Sequence, residues 1–587
     1  MVLAKENLTA LSVGSLLFLS ILISPFEFTE DPYSENLPII IAMVFLTTNF
    51  LRRRKDMNLS GRNIRLAEIS MSLGMLLVIA SVVARNSSIS NLILGSSNRG
   101  DGLFFYLLLP GLILGVMALS GREELILLRF IFASYIVAVV VGLVQILFPK
   151  FLNPIDYDGV VSVFVNTNTS GAFLSLIGLA LLFAAKRERN KNIRNLLKVI
   201  SSIGIVLSLL SNTAQAPLII VIVALTWSFT KLWCSYRRTL TLRKAQRFLL
   251  PSQIFVLISM AIFTLLALVP ELNKVQTFRY RILYWDAAVA TIKSNLVFGI
   301  GPGNFSSYVS EFRSYAYVEA VGPRVIIDDP HNVFLSLFLA IGIAPALLIA
   351  FSILKYLHIL VDVKSISELR KPLQISLLIA FIAYLNISYV SVSVIFFSIL
   401  AIKLIGDERE EPKKVRGHLQ SSLNLITSLL LTVIVTLSIF GISQSSIPKN
   451  LSYSQALEII KNRHIRCDIR ADVLGQLVES EYRPSILELD EIYNADPRCA
   501  SISNSIFRFK TFQGVIQDEI VIRRFYELDP KNPDVILLAA LASLIKNNQV
   551  DVEYYKRVIR DVPLNVLNKA SVDIKNEFIS KLGQLPN

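Results

Sequence analysis

His331 is one of only four histidines in the chain, and an imidazole is the side chain best suited to accept a proton near neutral pH. Asp328 and Asp329 precede it closely enough to orient the ring or raise its basicity. Upstream, Arg279 and Arg281 open an aromatic stretch, FRYRILYW. An arginine beside apolar sequence is costly without an anionic partner, and its planar fork grips phosphate oxygens in pairs where a lysine cannot. Arg281 therefore reads as a diphosphate ligand. The plainer alternative, a charge held at a lipid headgroup or at the membrane surface, suits Arg279 and Arg313 better, and Arg324 on the same connector is open to both. Between these arginines and the histidine runs Gly299-Ile300-Gly301-Pro302-Gly303-Asn304. Such glycines permit a tight turn and amides that an anion can approach; away from a strand–helix unit they do not signal a nucleotide-binding fold. For His331 the plainer alternative is a cap, formed with Asn332, on the apolar run that follows.

The elements that must position these groups are membrane helices. Hydrophobic residues make up 53% of the 587, and apolar runs long enough to cross a hydrocarbon core of about 30 Å occur near 8–24, 37–51, 66–84, 103–119, 125–148, 168–185, 196–212, 214–233, 253–270, 332–354, 373–388, 390–405 and 419–443. The fold class expected is all-α: a polytopic bundle of about 12–13 transmembrane helices. The first run is expected to be retained as a span, not removed as a signal peptide. A net charge of +14 raises nucleic acid as a partner, but the basic residues gather in alternate connectors, as around Arg52 to Lys55, Lys186 to Arg194, Arg237 to Arg247, Lys355 to Lys371 and Lys413 to Arg416. That alternation is the positive-inside pattern, so the partner it names is the membrane and no nucleic acid is expected. It turns the 271–331 connector outward. His358 and His418 then lie in inward connectors and His464 in the tail, which leaves His331 as the histidine at the outer lip. Three cysteines, Cys234, Cys467 and Cys499, include no CxxC pair, so no metal is expected.

Beyond residue 445 the long apolar runs stop, and charges mix with leucine and isoleucine at helical spacing. The organisation expected is therefore a membrane domain over 1–445 and a second helical domain over 446–587, on the outer side because the number of spans is odd. Asp496-Pro497, Asp529-Pro530 and Val562-Pro563 recur every 33 residues, and the segment from Tyr526 to Pro563 resembles a tetratricopeptide unit, a helix–turn–helix repeat that holds partners and carries no catalytic groups. Cys467 and Cys499 sit at similar points of successive repeats, in a compartment where a disulfide persists; a bond between them requires Cα atoms within about 7 Å, a spacing that the sequence leaves open.

Taken together, Arg281 four residues before Trp285, the GIGPGN turn and His331-Asn332 opening an apolar run resemble the O-antigen ligase and polymerase superfamily. ILGSSNRGDGLFFYLL and VFVNTNTSGAFLSL extend the likeness, with Thr167 where proline is usual. The resemblance implies a bacterial cytoplasmic-membrane glycosyltransferase that takes a glycan from undecaprenyl diphosphate, outside the membrane, and attaches it to an acceptor hydroxyl on lipid, glycan or protein, without a cofactor. It implies His331 as catalytic base, with Arg281, Arg99, Arg324, Asn332, Gly301, Gly303 and Asn304 at the substrate. Where the superfamily commonly has Ser-Arg-Gly, this chain has Asn212-Thr213-Ala214-Gln215-Ala216-Pro217, so a basic ligand is missing there. Ligase, polymerase and protein O-oligosaccharyltransferase share every motif named. Two alternatives of other kinds are a carboxylate-based glycosyltransferase using Glu27, Glu30 or Asp31, with room for a metal, and a lipid-glycan transporter without catalysis. The small number of ionisable residues within the spans speaks against the transporter.

Overall fold

Helix is the regular structure that lets an apolar segment satisfy its own N–H and C=O groups where no water can, and all the regular structure among the described residues is helical. The structure is a computed structural model; it describes residues 2–23, 32–53, 69–74, 76–78, 103–148, 162–164, 167–185, 190–211, 215–237, 276–361, 371–388, 391–406, 452–461, 467–479, 484–495, 499–513, 515 and 519–583. The expected spans 253–270 and 419–443 lie outside the described residues, as do Arg99, Glu27, Glu30, Asp31 and residues 212–214.

The bundle comprises α1 (Val2–Ile23), α2 (Pro32–Arg53), α3 (Leu103–Met117), α4 (Gly121–Leu147), α5 (Thr167–Ala184), α6 (Lys191–Leu210) and α7 (Gln215–Arg237). Three of these, α4, α5 and α6, are long and apolar enough to cross a membrane, with shorter apolar stretches in the others. The chain is an all-α membrane protein. Helix α1 packs on α2 and α4, α2 on α3, and α5 on α6, and one continuous apolar core runs through them. At one end Arg53 of α2 binds Glu123, which is fully buried, through both guanidinium arms (2.7 and 3.0 Å). Glu123 also closes the capping box of Ser120 at the start of α4, so a residue of the basic connector ties two helix ends together.

Next come α8 (Gln276–Ser294), two short helices α9 (Phe305–Phe312) and α10 (Tyr315–Val321), then α11 (Val333–Ile341), α12 (Ile343–Val361), α13 (Lys371–Ile387) and α14 (Val392–Gly406). The sequence pattern predicts one span over 332–354; instead the run is broken at Gly342, whose φ is +82°. The cause is the glycine turn. The N–H groups of Ile300 and Gly301 donate to the carbonyls of Leu339 (2.7 Å) and Ala340 (3.1 Å), and the Ile343 N–H donates to the Leu296 carbonyl (2.9 Å). Carbonyls that a continuous helix would use internally are thus taken up from the side. The approach leaves no room for side chains: a Cβ on Gly342 would lie 2.2 Å from the Val297 oxygen, and one on Gly299 (φ +62°) 2.4 Å from the Leu339 oxygen.

The tail continues with α15 (Tyr453–Lys461), α16 (Cys467–Glu479), α17 (Ile486–Ala495), α18 (Ala500–Phe512), α19 (Glu519–Leu528), α20 (Pro533–Ile545), α21 (Gln549–Asp561), α22 (Leu564–Leu567) and α23 (Val572–Leu582). Helix α20 is apolar all round and buried from Pro533 to Leu544, with α19, α21 and α23 packed about it. At 13 residues it is too short to span and serves as the tail's core helix. The breaks at Asp529-Pro530 and Val562-Pro563 fall between helices, as the spacing predicts; residues 496–498 lie outside the described set. Cys499, buried beside α18, is disulfide-bonded, and the Cys467 side chain is outside the described set.

The tail does not stand apart from the 271–331 connector. Tyr284, Ala288, Phe305 and Val318 share one apolar cluster with Ile536, Val562 and Val566.

Because Gly342 combines a backbone conformation restricted to glycine with a contact that a Cβ cannot enter, Gly342→Ala is expected to destabilise the fold by about 2–4 kcal/mol. Thermal unfolding in detergent checks this; an unchanged midpoint would mean that the break tolerates a side chain.

Candidate functional site

The elements meet where α5 and α7 begin and α13 ends. Gln215, the first residue of α7, is 1% exposed. With its carboxamide oriented so that Nε2 donates to the Asn168 carbonyl (2.9 Å), its Oε1 accepts from Arg281 Nη2 (3.2 Å). Arg281 projects from the first turns of α8 and is 5% exposed. Burial lowers its pKa to about 10, against the effect of Tyr284 and Tyr384, so it remains a cation at neutral pH. Its Nη1 is buried and has no hydrogen-bond partner among the described residues, nor has Trp285 Nε1, one turn further along α8.

Tyr284 links this cation to the histidine. Its ring stands 5.7 Å from that of His331. Burial, reinforced by Tyr280, raises the Tyr284 phenol above its ordinary range despite the pull of Arg281, so it is a neutral hydroxyl at working pH. His331 itself is half-buried and holds a left-handed backbone conformation, φ +54°, which is strained for a non-glycine residue. The strain is held by Asp329, which is 2% exposed: its Oδ1 accepts the His331 N–H (2.6 Å) and its Oδ2 accepts the Ser336 hydroxyl (2.7 Å). Asn332 then caps α11, its Oδ1 accepting from the N–H groups of Phe334 and Leu335 (3.0 and 3.1 Å) while its Nδ2 donates to the Asn386 carbonyl at the end of α13 (2.9 Å). The cap expected of the HN pair thus exists, and it is made by Asn332. His331 is left on the turn before it, beside Tyr284.

The other residues singled out in the sequence are placed differently. Gly301 gives its N–H to Ala340, and the Asn304 side chain folds back onto the Ile300 carbonyl (2.9 Å), so these two groups maintain the turn. Gly303, at φ +71°, lines a small cavity with Asp328, Asp329 and Ser336. Arg324 is 69% exposed on its side chain and turns to the tail, donating to Ser571 Oγ (2.7 Å) with Asp534 at 3.7 Å. Arg279 is exposed. Arg313, read from sequence as a surface charge, is instead 1% exposed and clamped by Asp529 through Nε–Oδ1 (2.9 Å) and Nη2–Oδ2 (2.6 Å). The anion that makes its burial tolerable comes from 216 positions away, beyond the reach of any local pattern. An apolar crevice is lined by Val333, Phe334, Phe381, Leu385 and Ile399. Gln215 and Tyr284 join the group around Arg281 and His331 although the sequence motifs give neither a place in it, and Trp285 enters there only through its spacing from Arg281.

Residues 160–350 match the family described as O-antigen ligase, a stretch that runs from just before α5 into α12 and contains Gln215, Arg281, Trp285, the glycine turn and His331. No curated protein matches the chain.

Removing one member of a buried ion pair strands the other, at a cost of about 3–5 kcal/mol. Asp529→Ala is therefore expected to loosen the tail from the connector, seen as faster proteolysis within the tail of the purified full-length protein, and an Arg313→Met/Asp529→Leu pair to recover much of the loss. Wild-type resistance in Asp529→Ala would show that the apolar contacts alone hold the junction.

Proposed function

We infer that this membrane protein, aligned over residues 160–350 with the O-antigen ligases, is a glycosyltransferase that moves a glycan from a polyprenyl diphosphate to an acceptor hydroxyl on the outer side of the cytoplasmic membrane. The observation that carries the reading is the buried Arg281, cationic and with one arm uncommitted among the described residues, joined through Tyr284 to His331. In the reaction the bond from the sugar's anomeric carbon to the diphosphate oxygen breaks and its electron pair leaves with the diphosphate. Arg281 stabilises that developing charge. The acceptor oxygen forms the new bond as its proton passes to the His331 ring, whose position Asp329 fixes through the backbone. No nucleotide sugar and no cofactor enters this scheme.

The tail, fused to the same apolar cluster as α8 to α10, serves to position an acceptor or a partner subunit. A compartment that sustains the Cys499 disulfide accords with an outward tail. The acceptor distinguishes a ligase from a polymerase: deletion of the gene abolishes attachment of surface glycan in the first case and leaves single attached repeats in the second.

In a deletion strain complemented with equal amounts of inserted protein, His331→Ala is expected to lower surface glycan by about 10²–10⁴-fold in rate, the usual worth of a general base; normal glycan would remove His331 from the chemistry. Arg281→Lys is expected to fall nearly as far as Arg281→Ala, because one ammonium cannot keep the Gln215 contact and also reach the ligand. Near-normal activity in the lysine variant would reduce Arg281 to a general positive charge.

A further inference from the structure

Two donors on α8 end in buried space with no acceptor among the described residues: Arg281 Nη1 and Trp285 Nε1. Four positions apart on one helix, they lie on the same face. A buried indole N–H ordinarily finds a partner, and leaving a donor unsatisfied is costly. Two such donors one turn apart would be satisfied together by a single acceptor on a bound group, and their chemistry specifies that group. Guanidinium and indole are donors only, with no lone pair to offer, so the entering atom is an acceptor, and the adjoining cation favours one that carries negative charge.

The rest of the guanidinium is not free to turn away. Gln215 Oε1 holds Nη2, and Gln215 is itself anchored through Nε2 to the Asn168 carbonyl. Since Gln215 is neutral, it orients Arg281 without cancelling its charge. Asp286, the carboxylate nearest along the helix, is exposed.

We propose that Arg281 and Trp285 form a two-donor clamp for one anionic oxygen of the donor's diphosphate, with Gln215 as the residue that positions Arg281. The assignment rests on the glycosyl-transfer reading for its natural ligand, but the clamp is a site for phosphate oxygen in its own right. As the sugar–oxygen bond breaks, the electron pair settles on the diphosphate, and the indole N–H shares with Arg281 the charge that collects there. Trp285 thereby touches the leaving group, and its hydrogen bond strengthens as that charge grows.

The test is calorimetric titration of the full-length protein in detergent with inorganic pyrophosphate. Trp285→Phe removes the N–H and keeps an aromatic ring; it is expected to weaken binding by about tenfold, the worth of one hydrogen bond to a charged group. Benzothienylalanine at position 285, which replaces the N–H by sulfur in the same shape, is expected to do the same with an unchanged unfolding midpoint. Gln215→Glu is expected to weaken pyrophosphate binding more than Gln215→Met, because the carboxylate neutralises Arg281, whereas a purely structural role would make the two equal. Wild-type affinity in both position-285 variants, or no pyrophosphate binding by the wild type, would overturn the clamp. Failure of the glycosyl-transfer reading looks different: no product from a lipid-linked glycan, with pyrophosphate binding and its dependence on Trp285 intact.

Discussion

A helix interrupted by another segment's backbone is the constraint on which the loop end of this protein depends. The N–H groups of Ile300 and Gly301 reach the carbonyls of Leu339 and Ala340, and Ile343 answers through Leu296. Each bond satisfies a polar group that would otherwise be orphaned next to an apolar core. The exchange stops α11 after 9 residues. A short, separately capped helix can then present Asn332 to the end of α13 and hold His331 in a left-handed turn against Tyr284. The glycine motif's part is structural first: it closes the backbone so that side chains on α8 and on the turn before α11 face one another.

The same loop end is braced from the tail. Arg313 and Asp529 form a buried bidentate pair inside an apolar junction, and burial pushes the Asp529 carboxyl up while Arg313 pulls it down. Such a pair contributes little net stability compared with an apolar replacement, yet it penalises every arrangement in which the partners separate. Its effect is therefore one of register, fixing where α19 and α20 sit on α9 and α10. Charge at this end is thus divided: Arg313 and Arg324 bind the tail, and Arg281 keeps one arm without a partner among the described residues.

How much of this was legible in the sequence follows from the range of the interactions. The helical character of the bundle and the helix breaks at Asp529-Pro530 and Val562-Pro563 rest on local patterning or on spacing, and could be read. The break at Gly342 could not, since VFLSLFLAIGIAPALL carries one glycine in an apolar run and the interruption comes from residues 296–301, far from it in sequence. Arg313 was misread for the same reason, its partner being 216 positions away. Gln215 was noticed only as the place where a basic residue is absent. That a neutral amide there steers Arg281 depends on a three-way contact with Asn168 that no periodicity encodes.

The central claim is that this loop end performs a group transfer and is not a passage. It is tested most directly by giving the purified wild-type protein, in detergent where no second compartment exists, a polyprenyl-diphosphate-linked glycan and a candidate acceptor, and measuring release of free polyprenyl diphosphate. Release coupled one-to-one to glycosylated acceptor is the expected result. Intact lipid-linked glycan after prolonged incubation across glycan, lipid and protein acceptors would contradict it.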